Sequence, residues 1–565
     1  ILADGRVDQP LDEVLAERAV VSLRDAGVEA VAICLVNAYL NPTHEQRLAE
    51  MVTRLAPDLT VCLSSEVHPE IREYERASTT VINASLVPVV SDYLDRLEGR
   101  LSTFSDRLLI MQSNGGILSS RTARQRPAVM IESGPAAGVL AASRLATENG
   151  WNTVLSFDMG GTTAKACLIE NGVPLERPGG EVGAAVTSSS RLFGGGGHVL
   201  RFPWLDIVEV GAGGGSIAWV EEGGALRVGP QSAGASPGPA CYGQGGELPT
   251  VTDANLVLGY MNPQAIADDT LALDREAAKI AIRKYVADPL GLDLMQAAYG
   301  VLQVVNATMM RALRAVSTER GRDPRAFTLI PFGGAGPMHA ASLADAVGVA
   351  DIRIPPFSGL FSSLGLLLAD YRHDYVRSIA IATDKVNLAG VRQVLEELEH
   401  EALTELAAEG VSGEFVEFVR QADLRYAYQV SEIAVPLPEL GPHFVENLVA
   451  AFTAAHFQEF GYERDDVMEL VNIRLRATAP AATARFAELA QARASAASGH
   501  AVTREAYFGP SNGRLTATVL GRSDIDRPVC GPVIVDEPDT TVVVPPGWSV
   551  ERDKSDNLRL RKLST

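Results

Sequence analysis

Residues 157–165 read FDMGGTTAK and bring a carboxylate, two glycines, two hydroxyls and an ammonium into one short stretch. The β-rich runs TVLSFD and AKACLIE on either side mark it as the turn of a hairpin rather than of a crossover. Such a turn can grip phosphate. Gly160 and Gly161 let backbone N–H groups approach the oxygens, and Thr162 and Thr163 add hydroxyl donors. Asp158 can hold a Mg²⁺-bound water, and Lys165 can offer a point charge to a phosphoryl group in transfer. The same residues also suit a tight turn in which Asp158 is a cap and Lys165 meets solvent.

Two further glycine stretches follow. GAGGGS, 211–216, fails as a dinucleotide fingerprint because its sixth position is Ser216 and the SIAWV after it is β-like, so the strand–turn–helix context is missing. Gly213, Gly214, Gly215 and Ser216 then form either a loop that takes a ligand against its backbone or the tip of a hairpin. PFGGAGPMHA, 331–340, follows the apolar FTLIP and precedes a helical pattern. Gly333, Gly334 and Ala335 thus sit at a strand's carboxyl end and a helix N-terminus, where open α/β sheets bind ligands. A flat base or ribose would fit on these glycines; close strand–helix packing is the other use. No G-x-x-x-x-G-K-[ST] occurs, which excludes a P-loop NTPase.

The stretch 229–255 is poor in aliphatics and too long for a mere turn, which marks a functional loop. Cys241 within it reads as a buried thiol ahead of a nucleophile. SGPAAGV, 133–139, shortly after QSNGG, suits tight packing ahead of anion contact. HPEIREYER, 68–76, has the mixed charge of a solvated helix start, and no function is assigned to it. His339 suits capping or packing as well as catalysis. The five cysteines show no C-x-x-C and the nine histidines no H-x-x-x-H, so neither a disulfide framework nor a zinc site is expected.

These loops need elements to position them. Apolar runs such as VEAVAICLV (28–36), the 60–64 strand and RLLIMQ (107–112) alternate with helical patterns at 11–26, 43–55, 73–103 and 135–147, the signature of an α/β layer with a parallel sheet. From 153 hairpins take over, then helices at 273–287 and 294–318, the FTLIP strand and another helix. Residues 385–460 are mainly helical with a strand-like interruption. Residues 481–504, rich in Ala, Arg and Ser, read as a linker, and 505–563 as a small β domain. The net charge of −21 excludes a nucleic-acid partner. No run approaches the ~18 apolar residues of a membrane span, and a reducing cytoplasm is the expected setting.

In combination the chain resembles the A-type subunit of the hydantoinase/oxoprolinase family. The words that carry this are LVNAYLNPTHEQR, EVHPEIREYERASTTVINA, QSNGG, ESGPAAG, FDMGGTTAK, GAGGGSIAW, LRVGPQSAGASPGPACYGQGG, PTVTDANLVLG, VSTERGRDPRAF and FGGAGPMHA, between residues 35 and 340. The resemblance implies an α/β, actin-like and Hsp70-like (ASKHA) ATPase fold in which two related α/β halves clamp ATP. The implied domains are 1–148, the remainder of the first half; 149–384, the second half; 385–480, an α+β region; and 481–565, a linker and C-terminal β domain. It further implies an ATP- and Mg²⁺-dependent hydrolase of cyclic amides that phosphorylates the substrate carbonyl oxygen. Asp158, Thr162 and Lys165 would be catalytic, with Asp158 at the metal. Gly160, Gly161, Thr163, Gly213, Gly214, Gly215, Ser216, Gly333, Gly334 and Ala335 would hold the nucleotide. A B-type hydantoinase subunit is the implied partner, in a hetero-oligomer. The alternatives are an ATP-dependent ketone carboxylase subunit and a nucleotide-binding subunit without turnover. The sequence opens without Met or a leader and is expected to be a fragment or processed product. The family's first phosphate hairpin, G-V-D-x-G-G-T-F-T-D, has no counterpart in it; if that segment is absent altogether, turnover by this chain alone is not expected.

Overall fold

The computed structural model describes residues 1–183, 196–263, 272–481 and 502–563. The hairpin expected around FDMGGTTAK is present: strands Thr153–Met159 and Ala164–Glu170 pair antiparallel, with Asp158 opposite Lys165. They lie inside a nine-stranded mixed sheet. Val208–Val210 borders the hairpin on one side, and Thr328–Phe332 runs parallel to it on the other, followed by Asp351–Ile354.

Alternation along Thr153–Met159 sorts the two faces, as strand geometry requires. Leu155, Phe157 and Met159 pack into a core with the buried face of the Leu294–Val316 helix, including Val301, Val305 and Met309. Val154 on the opposite face joins Cys167, Ile169 and Phe332 under the Ser133–Asn149 helix. The small residues of SGPAAGV serve that second contact. A side chain at Gly138 would strike the Phe332 ring, and one at Gly365, in the Phe361–Leu367 helix, would strike the Ala137 backbone, so the two helices and the sheet approach as only glycine permits.

Two parts of the architecture differ from the sequence reading. Ala30–Ile33 and Thr60–Leu63 do form a parallel pair. The third strand, Leu109–Met111, instead turns back on Ile117–Ser119 and enters a six-stranded sheet with Tyr371–Ala382, Met468–Ala479, Glu417–Tyr426 and Ile433–Pro436. The C-terminal stretch divides in the same manner. Val502–Tyr507, Arg514–Leu520, Val533–Asp536 and Thr541–Val544 form their own four-stranded sheet, whereas Leu558–Lys562, Trp548–Arg552 and Val529–Cys530 extend the nine-stranded one. Leu558 and Leu560 are fully buried there, so burial of apolar side chains joins this stretch to the main sheet. The linker expected at 481–504 lies almost wholly outside the described residues. Among the described residues no helix is long and apolar enough to cross a membrane.

Candidate functional site

Register in the central sheet sets the site. Phe332 pairs with Asp158, Asp158 with Lys165, and Lys165 with Glu209, so one row across four strands reads apolar, acidic, basic, acidic. Burial pushes the Asp158 carboxyl above the ordinary carboxylate range; Lys165 pulls it back and Glu209 adds to the rise. Lys165 donates from Nζ to the Thr163 hydroxyl at 2.8 Å and lies 3.6 Å from Glu209. Its ammonium is therefore held at the foot of the hairpin loop rather than loose in solvent.

The hairpin loop itself is open. Gly160, Gly161 and Thr162 are exposed, and among the described residues a Cβ at either glycine would meet nothing within 4 Å. Within the described residues the Gly160 N–H closes the turn on the Thr163 carbonyl at 3.2 Å, while the N–H groups of Gly161, Thr162 and Thr163 donate to no protein acceptor. The loop offers a run of backbone donors beside a carboxylate and an ammonium, which suits a phosphate chain.

GAGGGS occupies a different place from the one its composition suggests. Gly213, Gly214, Gly215 and Ser216 are all buried behind the hairpin loop. Every one of their N–H groups is taken: Gly213 by Ser216 Oγ at 2.8 Å, Gly214 by the Gly160 carbonyl at 3.0 Å, Gly215 by the Gly161 carbonyl at 2.6 Å, and Ser216 by the Gly213 carbonyl at 3.1 Å. A Cβ on Gly213 would lie 2.6 Å from the Thr162 backbone. These residues carry the hairpin loop from beneath, and their N–H groups are not available to a ligand.

The support continues outward. Thr252 donates its N–H and its hydroxyl to the Gly214 carbonyl, at 2.8 and 2.9 Å. Thr252 stands in the first turn of the Val251–Leu258 helix, whose start is fixed by a capping box of Thr250 and Asp253. Asp253 also accepts from the backbone N–H of Ala240 and Cys241, and so ties down the loop expected at 229–255. Burial pushes the Cys241 thiol up, and Asp253 adds to it, which makes this cysteine a poor nucleophile. The T-x-x-D pattern at 250–253 was a readable signal for this support that composition alone passed over.

The third stretch meets the first. Gly333 has φ of +79°, and a Cβ there would stand 2.5 Å from Asp158 Oδ1, so the position is reserved for glycine by both backbone and space. Its N–H donates to Ser358 at 2.8 Å, and Ala335 N–H to the Met159 carbonyl at 3.1 Å, which fastens the Gly336–Val347 helix to the hairpin. Gly334 is exposed with only the Asp539 carbonyl, 3.9 Å from a built Cβ, nearby. From the C-terminal stretch, Thr540 Oγ1 donates to the Gly334 carbonyl at 3.1 Å, and Asp539 accepts from Gly359 N–H at 2.8 Å. No sequence pattern pointed to Glu209, Ser358, Asp539 or Thr540. His339 is buried with Nδ1 2.7 Å from Asn306 Oδ1, and burial lowers it to about 4, so it is a neutral packing residue.

HPEIREYER is not a solvated helix start. Arg76 is fully buried and donates to Ser64 Oγ and to the carbonyls of Glu70 and Leu35, while Glu70 lies among His68, Arg201 and Arg474. Among the described residues no group of three or more His, Cys, Asp and Glu is placed to hold a metal. Asp158 is a single carboxylate at the end of the Thr153–Met159 strand, beside an open loop that carries two threonine hydroxyls. That donor set fits Mg²⁺, which commonly takes one or two protein carboxylates and completes its shell with water and phosphate oxygens.

The class this fold and site define is a mixed α/β protein whose central hairpin brings a carboxylate, an ammonium and, among the described residues, unpartnered backbone donors to one end of the sheet. The chain belongs to the hydantoinase/oxoprolinase family: residues 76–375 match the hydantoinase/oxoprolinase domain, 1–56 its N-terminal region and 382–563 its C-terminal domain. The caprolactamase alpha subunit of Pseudomonas jessenii is 36% identical over 99% of this chain and 80% of its own. The structure of the ATP-dependent caprolactamase from that organism superposes with a TM-score of 0.80 at 34% identity, covering 100% of this chain and 81% of that one. Nucleotide-free acetone carboxylase gives a TM-score of 0.75 at 25% identity, over 98% and 79%. The 5-oxoprolinase of Saccharomyces cerevisiae is 32% identical over 84% of this chain but only 36% of its own length.

Proposed function

We propose that the chain is the nucleotide-binding subunit of an ATP-dependent cyclic amide hydrolase. The observation that carries this is the meeting of two loops at Asp158. Gly160, Gly161 and Gly334, exposed there, have room for side chains they do not carry, whereas Gly213 and Gly333 are glycine because the protein leaves no room. Glycines that the fold does not require are explained by a ligand that needs their space. In this reading the plan is actin-like, with two related α/β halves divided near residue 148 and the second ending near 384.

Gly160, Gly161, Thr162 and Thr163 hold the β- and γ-phosphates through the three free N–H groups and the hydroxyls. Gly333, Gly334 and Ala335 form the floor for adenosine, and Gly213–Ser216 keep the phosphate loop in place. Lys165 neutralises charge on the phosphoryl group, and Asp158 orients Mg²⁺-bound water; the metal when bound supplies charge neutralisation along the phosphates. Resonance protects an amide from water and its amine is a poor leaving group. Transfer of the phosphoryl group to the carbonyl oxygen gives an O-phosphorylated imidate and ADP. The ring nitrogen gives up its proton as the imidate forms; water then adds to the activated carbon and the C–N bond breaks, opening the ring to an amine and an acyl phosphate, which a second water hydrolyses to carboxylate and phosphate. Names of relatives as subunits support a hetero-oligomer, in which this reading makes the partner a B-type subunit.

The test is ADP release by the chain and its B-type partner on addition of caprolactam, 5-oxoproline or hydantoin. Asp158→Ala should reduce substrate-stimulated release at least a hundredfold with the melting temperature maintained; unchanged turnover would remove Asp158 from the mechanism. The likeness to acetone carboxylase favours one second reading, a ketone carboxylase, which would instead show ketone-stimulated ADP release that requires bicarbonate.

A further inference from the structure

A cavity of about 1470 Å³ lies apart from the glycine loops, none of whose residues line it. Its wall joins the start of HPEIREYER to residues 173–178, residues 201–203 and the inner strands of the six-stranded sheet. The wall is dense in charge; its lining includes the exposed Glu66 and Glu459, and among its inner groups the two signs are not equally satisfied.

The inner carboxylates Glu70, Asp423 and Asp374 are saturated. Glu70, just behind the wall, accepts from Arg201 at 3.1 Å and from Arg474, and His68 Nε2 lies 2.9 Å away as an ion-pair contact. Burial alone would raise Glu70, but these cations hold it well below the ordinary carboxylate range. Asp423 accepts from Asn472 Nδ2 and Arg474 Nε, both at 2.7 Å. Asp374 accepts from Asn114, Arg372 and Arg476 at 2.8, 2.9 and 3.1 Å.

The guanidiniums are not. Each has five N–H donors. Arg201 spends Nε and one Nη on Glu70, Arg474 spends Nε on Asp423 and one Nη on Glu70, and Arg377 makes a single 3.4 Å bond to Glu401. All three line the cavity, and among the described residues their remaining N–H groups have no protein acceptor, a surplus of forked donors in its wall. The fork matches a carboxylate. Val61, Val67, Phe202, Val376 and Ile433 supply much of the remaining lining, which suits an aliphatic body better than a polyphosphate. With a net charge of −21 the surface at large repels anions, and a local donor surplus is what would retain one.

We propose that this cavity binds a small organic carboxylate with an aliphatic body, its carboxylate held by Arg201, Arg474 and Arg377. The proposal goes beyond the ATP reading and does not rest on it. The test is calorimetric titration of the whole chain, without nucleotide, with hexanoate and with hexanamide, which keeps the shape and loses the charge. Hexanoate should bind saturably and hexanamide at least tenfold more weakly. Arg201→Gln should weaken hexanoate about tenfold, the worth of a charged hydrogen bond, and Arg377→Gln at least threefold. Arg377 is partly exposed, so its variant carries the test should Arg201→Gln melt early. Absence of saturable hexanoate binding, equal binding of the amide, or an unchanged Kd in folded Arg377→Gln would overturn the proposal. Because no nucleotide is present, failure of the ATP reading leaves these outcomes unaffected.

Discussion

At the scale of single residues, glycine distinguishes support from contact. A Cβ at Gly213 would press on the Thr162 backbone at 2.6 Å, and backbone cannot swing aside as a side-chain end can. Gly213→Ala should therefore destabilise the fold by roughly 1–3 kcal/mol, the cost of overpacking a close contact. Gly334→Val adds bulk where the nearest atom is 3.9 Å from the new Cβ. It should leave the melting temperature within a degree or two while weakening ATP at least tenfold. Thermal melts paired with nucleotide titration separate the two, and normal ATP affinity in Gly334→Val would sink the adenosine assignment. The sequence alone could not tell these glycines apart. FDMGGTTAK, GAGGGS and FGGAG all read as ligand loops because composition reports the absence of a side chain but not its cause. Only the placement of Gly214 and Gly215 N–H on the Gly160 and Gly161 carbonyls assigns the middle loop to support.

At the scale of elements, legibility followed local period and capping. The helix expected at 43–55 is Thr43–Leu55 and that at 294–318 is Leu294–Val316, the latter opened by an Asp293 cap. The strand Leu109–Met111 has three residues, too few for a period to say which sheet it joins. The charged helix start at 68–76 misled for another reason: its partner Arg474 is 404 residues from Glu70. A second clamp of this kind ties the Tyr371–Ala382 strand to the Leu388–Ala408 helix and its end. His373 Nδ1 is 3.2 Å from Glu405, and Nε2 is 2.9 Å from Glu409. Burial alone would lower this imidazole, but the two carboxylates more than reverse that and hold it up at about 9 from an ordinary 6.5. A group raised on folding stabilises fully below its unfolded value and loses that stabilisation as pH rises through its folded one. Roughly 3 kcal/mol should thus be present at pH 6 and fade between pH 6.5 and about 9. Chemical denaturation across this range should show a fall that His373→Gln lacks; parallel profiles would show that His373 is not charged in the folded state.

At the scale of the whole molecule, the end of the chain is wired to the floor proposed for adenosine. Arg522 is almost fully buried and pairs bidentately with Glu537 at 2.7 and 2.8 Å. Its other N–H groups donate to the carbonyls of Ile354 and Pro355, at 3.2 and 3.0 Å, and to that of Asp556. One guanidinium therefore joins the Val533–Asp536 and Leu558–Lys562 strands to the end of Asp351–Ile354. Two and three residues after Glu537 come Asp539 and Thr540, which fix Gly359 and Gly334. Arg522→Ala would remove the bidentate guanidinium from buried Glu537, and breaking such a pair costs roughly 3–5 kcal/mol. It should lower the melting temperature by several degrees. At a temperature where the variant is still folded, it should also raise the Kd for ATP, because the turn that holds Gly334 loses its anchor. Thr540→Val removes only the 3.1 Å bond to the Gly334 carbonyl, so it should raise the Kd with little change in melting. Both variants leave every residue of the phosphate hairpin intact. If ATP affinity is unchanged in both while Gly334→Val abolishes it, the C-terminal stretch stabilises the sheet without shaping the site.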